Sequence, residues 1–459
     1  MPVSTDPATG LTIETYPETS AAEVDRRLTA AAEAQRPWGR RTVEQRLEPF
    51  LKLAVILLRD RDSLAALATK EMGKPIAQAE SEVEKCARCC VWVAEHAPVA
   101  LAHRHATTEA RTSYVRFDPL GLVLAIMPWN FPFWQVIRAA VPALAAGNGV
   151  VLKHASNVPG CALALDRAFA EAGFPPGLFT TLLINGPAAE ALVDDPRIAG
   201  VTLTGSEPAG RAVAARAGAA LKKTVLELGG SDPFVVLADA DVSRAISEAV
   251  RARLQNNGQS CIAAKRFIVE ESIADAFERG FAEAMGRAVV GDPLDRATEV
   301  GPLARADLVD ALDRQVRESV KAGAVVATGG TRIDRPGFFH APTVLTRVSP
   351  GMPAFDEETF GPLATVTRAR DAGHALALAN QSGFGLGASL WTGDPARAEA
   401  LAAAVDAGSV FVNGMVRSDP RLPFGGVKRS GYGRELSVFG IREFANIKTV
   451  WVEDLTRST

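Results

Sequence analysis

A chain of 459 residues is long enough for two or three domains, each with its own core. With 47% hydrophobic and 22% charged residues it has an ordinary globular composition, and a net charge of −3 excludes the basic excess that a broad nucleic-acid footprint needs. The start, Met1-Pro2-Val3-Ser4-Thr5-Asp6, has no basic segment leading into an apolar core, so a cytoplasmic location is expected.

The first hundred residues read as helices: Ala21 to Gln35, Glu44 to Glu71 and Ile76 to Glu95. The last carries Cys86, Cys89 and Cys90. Without a second paired-cysteine motif these read as small apolar thiols in a helix, and no metal site is expected. Between Asp118 and Lys153 the only charge is Arg138, a run long enough to suggest a membrane helix. Pro128, Asn130, Pro132, Pro142, Gly147, Asn148 and Gly149 break it, so it reads as strand, turn, helix and strand in a buried core. Strands at Val150 to Lys153, Phe179 to Leu183, Gly200 to Leu203 and Thr224 to Leu228 then alternate with helices at Ala162 to Glu171, Ala188 to Val193 and Pro208 to Ala217. A second series runs from Phe234 through helix Val242 to Leu254, strand Arg266 to Glu270, helices Ile273 to Met285 and Ala306 to Lys321, and segments Ala324 to Ala327, Ala372 to Ala379 and Ser409 to Asn413. Such alternation predicts two α/β domains with doubly wound parallel sheets, meeting near Gly229-Gly230. Thr112 to Phe117 and Thr449 to Val452 alternate without helical neighbours and read as edge strands that pair elsewhere, on a partner subunit among the options.

Cys261 is the strongest candidate for chemistry. It follows Asn256-Asn257-Gly258-Gln259-Ser260, a polar, glycine-bearing turn that places a thiol to react rather than to pack. Glu227 sits in an apolar strand signal followed by two glycines, a setting for an unusual carboxylate pKa. Pro128-Trp129-Asn130-Phe131-Pro132 is a rigid turn whose amide can stabilise an oxyanion or cap the next helix. Thr204-Gly205-Ser206 ends a strand and opens a helix, which suits a pyrophosphate or a plain N-cap by Ser206. Neither G-x-G-x-x-G after a strand nor a Walker A motif is present. Lys153 ends a buried strand and would bring a cation to the same crevice. Arg138 shares a helix face with Trp134 and must find an anion, either a substrate carboxylate or an internal partner. Glu358, in isolation, reads as a solvated loop acid.

Together these segments resemble the aldehyde dehydrogenase superfamily over nearly the whole chain. The matching pieces are Pro128-Trp129-Asn130-Phe131-Pro132, Leu226-Glu227-Leu228-Gly229-Gly230, Gly258-Gln259-Ser260-Cys261, Glu358-Thr359-Phe360-Gly361-Pro362 and Pro423-Phe424-Gly425-Gly426, in the family's order and spacing. Within it the chain most resembles the shorter bacterial members that act on succinate semialdehyde, which share Lys153-His154-Ala155, Phe131-Pro132-Phe133-Trp134-Gln135-Val136 and Gly229-Gly230-Ser231-Asp232-Pro233-Phe234. The resemblance implies a dinucleotide-binding domain over 1–100 and 120–229, a catalytic domain over 230–435, and a β flap for oligomerisation over 101–119 and 436–459, in a homodimer or homotetramer.

It also implies roles. Cys261 attacks the aldehyde carbon, Asn130 and the Cys261 backbone N–H hold the oxyanion, and Glu227 activates water against the thioester. Lys153 and Glu358 lie on the two riboses and Gly205 with Ser206 near the pyrophosphate. Met127, Pro128, Trp129, Ala155, Gly186, Thr204, Leu228 and Phe360 complete the cofactor contacts. Arg138 and Ser418 grip the far carboxylate of a short aldehyde between walls of Trp134 and Phe424. Many NAD-preferring relatives have Glu where this chain has Ser156, so NADP is expected, with NAD as the other candidate. Succinate semialdehyde is the expected substrate, glutarate semialdehyde or a simple aliphatic aldehyde being the alternatives. A thiol hydrolase, a non-catalytic scaffold and acyl transfer to coenzyme A are the competing functions. His154 replaces the proline common after the lysine elsewhere in the family. Ala263 stands where some relatives have a second thiol.

Overall fold

The computed structural model describes residues 1–453. Two sheets organise the chain. The first has six strands in the order Gly431–Tyr432, Lys223–Glu227, Ile198–Thr204, Leu122–Met127, Gly149–His154 and Phe179–Thr181. Its five long-range neighbours from the first half of the chain are mutually parallel, and Gly431–Tyr432 joins antiparallel to Lys223–Glu227. The second has seven strands, Val325–Thr328, Thr343–Thr346, Leu363–Ala369, Arg266–Glu270, Pro233–Val236, Gly387–Trp391 and Ser409–Val412, parallel except for the first. The strands Leu122–Met127 and Pro233–Val236 are almost wholly buried, as strands covered by helices on both faces must be.

The third element is a ribbon. Thr112–Pro119 pairs antiparallel with Ala445–Val452 over eight residues, from Thr112 opposite Val452 to Pro119 opposite Ala445, and Arg104–His105 adds a short third strand. The two orphan strand signals of the sequence therefore pair with each other in one chain. Residues 454–459, the end of the expected flap, lie outside the described residues.

Local chemistry explains most boundaries. Helix Ala21–Arg40 starts at Ser20, whose hydroxyl accepts from the Glu23 N–H. The expected helix over Glu44 to Glu71 is three pieces, Glu44–Arg46, Glu48–Arg59 and Arg61–Met72, broken at Asp60 and closed by left-handed Gly73 (φ 81°). Helix Ile76–Leu101 buries Cys86, Cys89 and Cys90 on its core face, and no cluster of metal-ligating side chains occurs among the described residues. No helix among them is long and apolar enough to cross a membrane.

Candidate active site

Cys261 ends a turn held from every side. Asn256 and Asn257 take left-handed backbone (φ 56° and 58°), a conformation asparagine tolerates better than most residues. Side chains fix it. Asn256 N–H donates to Gln78 Oε1 (2.7 Å), and Asn256 Nδ2 donates to the carbonyls of Asn130 (2.8 Å) and Gln259 (2.9 Å). Asn257 Nδ2 donates to the carbonyls of Gly73 and Pro302, and its Oδ1 accepts from Gly301 N–H. At Gly258 (φ 73°) a Cβ would lie 2.1 Å from the Gly361 carbonyl oxygen, so no side chain fits. Beyond the cysteine, the fully buried Lys265 ammonium donates to the carbonyls of Ser260 (3.0 Å), Cys261 (2.9 Å) and Ala263 (3.1 Å).

Asn130 meets this turn directly. Its Nδ2 donates to the Gln259 carbonyl (3.0 Å), which leaves its second amide hydrogen for another acceptor. The Pro128–Pro132 turn is clasped from behind by His154. Its Nδ1 accepts from Ala155 N–H and its Nε2 lies 2.8 Å from the Pro132 carbonyl, to which a neutral ring donates. Burial pushes the His154 pKa down to about 4, so the neutral ring is the resting form. A proline at 154 could not make this clasp.

Cys261 is half-buried, and burial pushes its thiol up to about 12 while Arg138 and Lys265 pull toward the thiolate. Glu227 ends its strand opposite Thr204 on one side and Gly431 on the other. It is 2% exposed, and neither carboxylate oxygen has a hydrogen-bond partner among the described residues. Burial, then the nearby Glu435, raises its pKa well above the usual carboxylate range, which suits a group that must take a proton from water. The adjacent Gly229 and Gly230 let three groups converge: a Cβ at Gly229 would strike Glu358 Oε2 (2.5 Å), and one at Gly230 the Cys261 carbonyl (2.4 Å). Glu358 is no solvated loop acid. It accepts from Gly230 N–H (3.0 Å) and lies 3.6 Å from Lys265.

The residues expected around a dinucleotide gather at the C-terminal ends of the first sheet. Met127, Lys153 with Ala155 and Ser156, and Thr204 with Gly205 and Ser206 end or follow neighbouring strands, the place where open α/β sheets bind ligands. The groups fit such a ligand. The Ser206 hydroxyl makes no capping bond to helix Glu207–Ala219, so the plain N-cap is not what the structure holds. A Cβ at Gly205 would meet nothing nearer than 3.5 Å and one at Gly186 nothing within 4 Å, as open cradles require. No carboxylate pairs with Lys153 among the described residues, and burial lowers its pKa. Trp129 packs edge-on to Phe360 with ring centroids 5.7 Å apart, and Leu228, next to Glu227, is buried in a separate apolar cluster with Leu203 and Leu226.

On the aldehyde side the structure adds partners to the expected residues. Arg138 is 2% exposed and ion-paired through Nε with Glu435, while its Nη2 donates to Thr204 Oγ1 (3.2 Å) and its guanidinium lies over Phe424 (4.6 Å to the centroid). The internal partner is thus present at Nε, and it does not engage Nη1. Glu435 is held there by paired backbone hydrogen bonds with Phe424. Ser418 accepts instead from Lys85 Nζ (2.6 Å), and Lys85 lies 4.2 Å over the Trp134 ring. The sequence reading missed Lys85, Lys265 and Glu435. A lysine within the cysteine-rich stripe of a buried helix was the available signal for Lys85. Nothing local marked the other two.

The aldehyde dehydrogenase family matches residues 3–450 of the chain. Over 456 residues, 98% of this chain and 100% of the relative, it is 50% identical to a succinate-semialdehyde dehydrogenase [NADP(+)] 1 of Mycobacterium tuberculosis. It is 48% identical over 449 residues to the succinate semialdehyde dehydrogenase [NAD(P)+] of Escherichia coli, covering 98% and 97% of the two chains. The structure superposes on that of succinic semialdehyde dehydrogenase from Streptococcus pyogenes in complex with NADP+ with a TM-score of 0.97, at 35% identity and covering 99% and 100% of the chains. The fold and family expected from the five motifs are borne out, and the chain belongs to the aldehyde dehydrogenase family.

Proposed function

We propose that the protein oxidises succinate semialdehyde to succinate through a covalent acyl-cysteine, with NADP+ as oxidant. The observation that carries this is the meeting of Asn130 with the Cys261 turn at the Gln259 carbonyl, with an unpartnered, buried Glu227 one glycine pair away. Cys261 Sγ, as thiolate, bonds to the carbonyl carbon, and the oxyanion falls to the free Asn130 amide hydrogen and the Cys261 N–H. Lys153, Ser156, Gly205, Ser206 and Glu358 would hold NADP+, which would supply the acceptor for the hydride lost as the adduct becomes a thioester. Glu227 then removes a proton from water as the water oxygen attacks the thioester carbon; the carbon–sulfur bond breaks and the thiolate returns. A base that water must reach explains why Glu227 is kept rather than lost to acyl transfer.

The named relatives support the substrate and the cofactor. Ser156 supports NADP, since no carboxylate there repels a 2′-phosphate. We take the first sheet with its helices as the dinucleotide-binding part, the second as the catalytic part, and the ribbon of Thr112–Pro119 with Ala445–Val452 as the surface joining copies into a homodimer or homotetramer in the cytoplasm. Exposed Ile447 and Trp451 on that ribbon support the last assignment. Initial rates with succinate semialdehyde against butyraldehyde, each with NADP+ and NAD+, test the reading. Succinate semialdehyde with NADP+ is expected to give the highest kcat/KM. Cys261→Ala is expected to abolish turnover and keep NADP+ binding; persistent turnover in that variant would sink the covalent route.

A further inference from the structure

The helix that follows Asn130 is capped from outside. Gln135 N–H already bonds to the Phe131 carbonyl, so Phe133 stands three residues after Asn130, at the position whose N–H an asparagine cap bonds. Asn130 does not make that bond, and its Oδ1 has no partner among the described residues. Nor does Phe133 cap helix Trp134–Ala145 with its own side chain. The acceptor comes instead from helix Ile76–Leu101: Glu82 Oε1 takes the N–H groups of both Phe133 and Trp134, each at 2.9 Å. A carboxylate suits these opening N–H groups, which a helix leaves unpaired.

Glu82 is itself seated. Its Oε2 pairs with Lys74, both side chains are buried, and the Lys74 ammonium lies 4.1 Å from the Phe131 ring centroid. The pair thus touches the Asn130 turn and its helix at Phe131, Phe133 and Trp134, while His154 clasps Pro132 between them. A buried ion pair adds little net stability over apolar side chains of the same size, so what this one supplies is geometry. The same stretch of chain also reaches the nucleophile. The Gly73 carbonyl accepts from Asn257 Nδ2 (2.8 Å), and Gln78 Oε1 accepts from Asn256 N–H (2.7 Å). Gly73 is locked in turn, since a Cβ there would lie 2.7 Å from the Pro302 carbonyl oxygen. Gly73 to Glu82 is therefore one bracket that grips both the Asn130 turn and the Cys261 turn.

We propose that Glu82, seated by Lys74, is a positioning residue for the oxyanion site. By capping helix Trp134–Ala145 from a second helix it takes the bond that the Asn130 side chain is placed to make. The Asn130 amide is thereby left to face the aldehyde oxygen, and Gly73 and Gln78 hold the second donor, the Cys261 N–H, to the same bracket. This rests on the reading of Asn130 and the Cys261 N–H as the oxyanion donors. It adds that their spacing is set by a buried acid and base that touch neither substrate nor cofactor. Donors of this kind work only when aimed before the reaction begins, so a shift of a fraction of an ångström in the Asn130 turn costs rate without unfolding the protein.

A mutant cycle with Asn130 tests this. Rates are taken per Cys261 alkylated by iodoacetamide, so that unfolded molecules do not count. With Glu82→Leu and Lys74→Met together, kcat for succinate semialdehyde is expected to fall about 30-fold, with the dissociation constant of NADP+ within about twofold of the wild type. Glu82→Gln beside Lys74→Met returns an acceptor oxygen without the charges and is expected to recover most of the loss. In an Asn130→Ala background, itself about 100-fold slower, the Leu and Met pair should cost less than about twofold more, because the group it misplaces is already gone. Glu82→Asp keeps the partner of Lys74 but shortens the reach; should the apolar pair fail to fold, it is expected to show the same cycle with a loss of about tenfold. An undiminished kcat in these variants, a loss that multiplies in full on Asn130→Ala, or a glutamine that rescues nothing overturns the role of Glu82 and leaves the proposed activity standing. An Asn130→Ala enzyme as fast as the wild type removes the oxyanion reading itself, and the role of Glu82 with it.

Discussion

The turn around Cys261 and the strand end at Glu227 lie on either side of one glycine pair, yet they are built on opposite rules. In the turn the side chains of Asn256, Asn257, Gln259 and Lys265 bond backbone groups of several segments, although Asn256 Oδ1, Gln259 Nε2 and Ser260 Oγ have no partner among the described residues. At the strand end the carboxylate of Glu227 is buried without a hydrogen-bond partner among the described residues, a state that costs stability unless the group stays neutral. The contrast teaches where this molecule is rigid and where it waits. A nucleophile must be aimed before the substrate arrives, so its turn is tied to backbone at many points. A base that acts on water late in the cycle must be free to meet that water, so its partners are missing.

Replacing Glu227 by Gln attacks the unsatisfied side. Turnover is expected to fall about 10³-fold, within the usual range for losing a general base, with a stoichiometric burst of reduced cofactor as the thioester accumulates. A steady rate with no burst would mean that some other group deacylates. The same variant sharpens the comparison through stability. The folded pKa of Glu227 is raised, so its contribution is fully present below the unfolded value of about 4.3 and is lost as pH rises through the folded pKa. Glutamine cannot ionise, so the melting temperature of Glu227→Gln should gain on the wild type as pH increases from 6 to 9. A constant difference would show that the carboxylate is solvated after all.

Lys265→Met attacks the satisfied side. Three carbonyls lose their shared donor, and at about 1–3 kcal/mol for each unsatisfied buried group the melting temperature should drop by about 5 °C or more. Thermal scans of the variant decide the matter, because an unchanged midpoint would mean that the turn holds without its buried ammonium. The smallest effect belongs to the rim of the cofactor cradle. Ser156→Glu should weaken NADP+ about tenfold in fluorescence titrations and leave NAD+ within a few-fold, since a new carboxylate repels only the 2′-phosphate.

Much of this was legible because the chemistry is local. Strand periods place the first sheet nearly to the residue: Gly200 to Leu203 lies inside the observed Ile198–Thr204, and Thr224 to Leu228 is one residue off Lys223–Glu227. The second sheet was harder. Thr343–Thr346, Leu363–Ala369 and Gly387–Trp391 are buried along nearly their whole length, so they become strands through burial between helices rather than through alternation. The ion pair of Arg138 with Glu435 joins residues far apart in the chain, and only the return of the C-terminal segment to the first sheet brings them together. Lys85 was hidden by its neighbours: beside three cysteines on a core-facing helix, it reads as incidental until Ser418 is seen above it.

The cysteine count has one more consequence. Ala263 offers no second sulfur near Cys261, and Cys86, Cys89, Cys90 and Cys161 are sealed in the interior, all unlinked. A peroxide that reaches the reactive position thus forms a sulfenic acid with no resolving partner in the chain, and its recovery depends on a small thiol diffusing in before further oxygen makes the damage permanent.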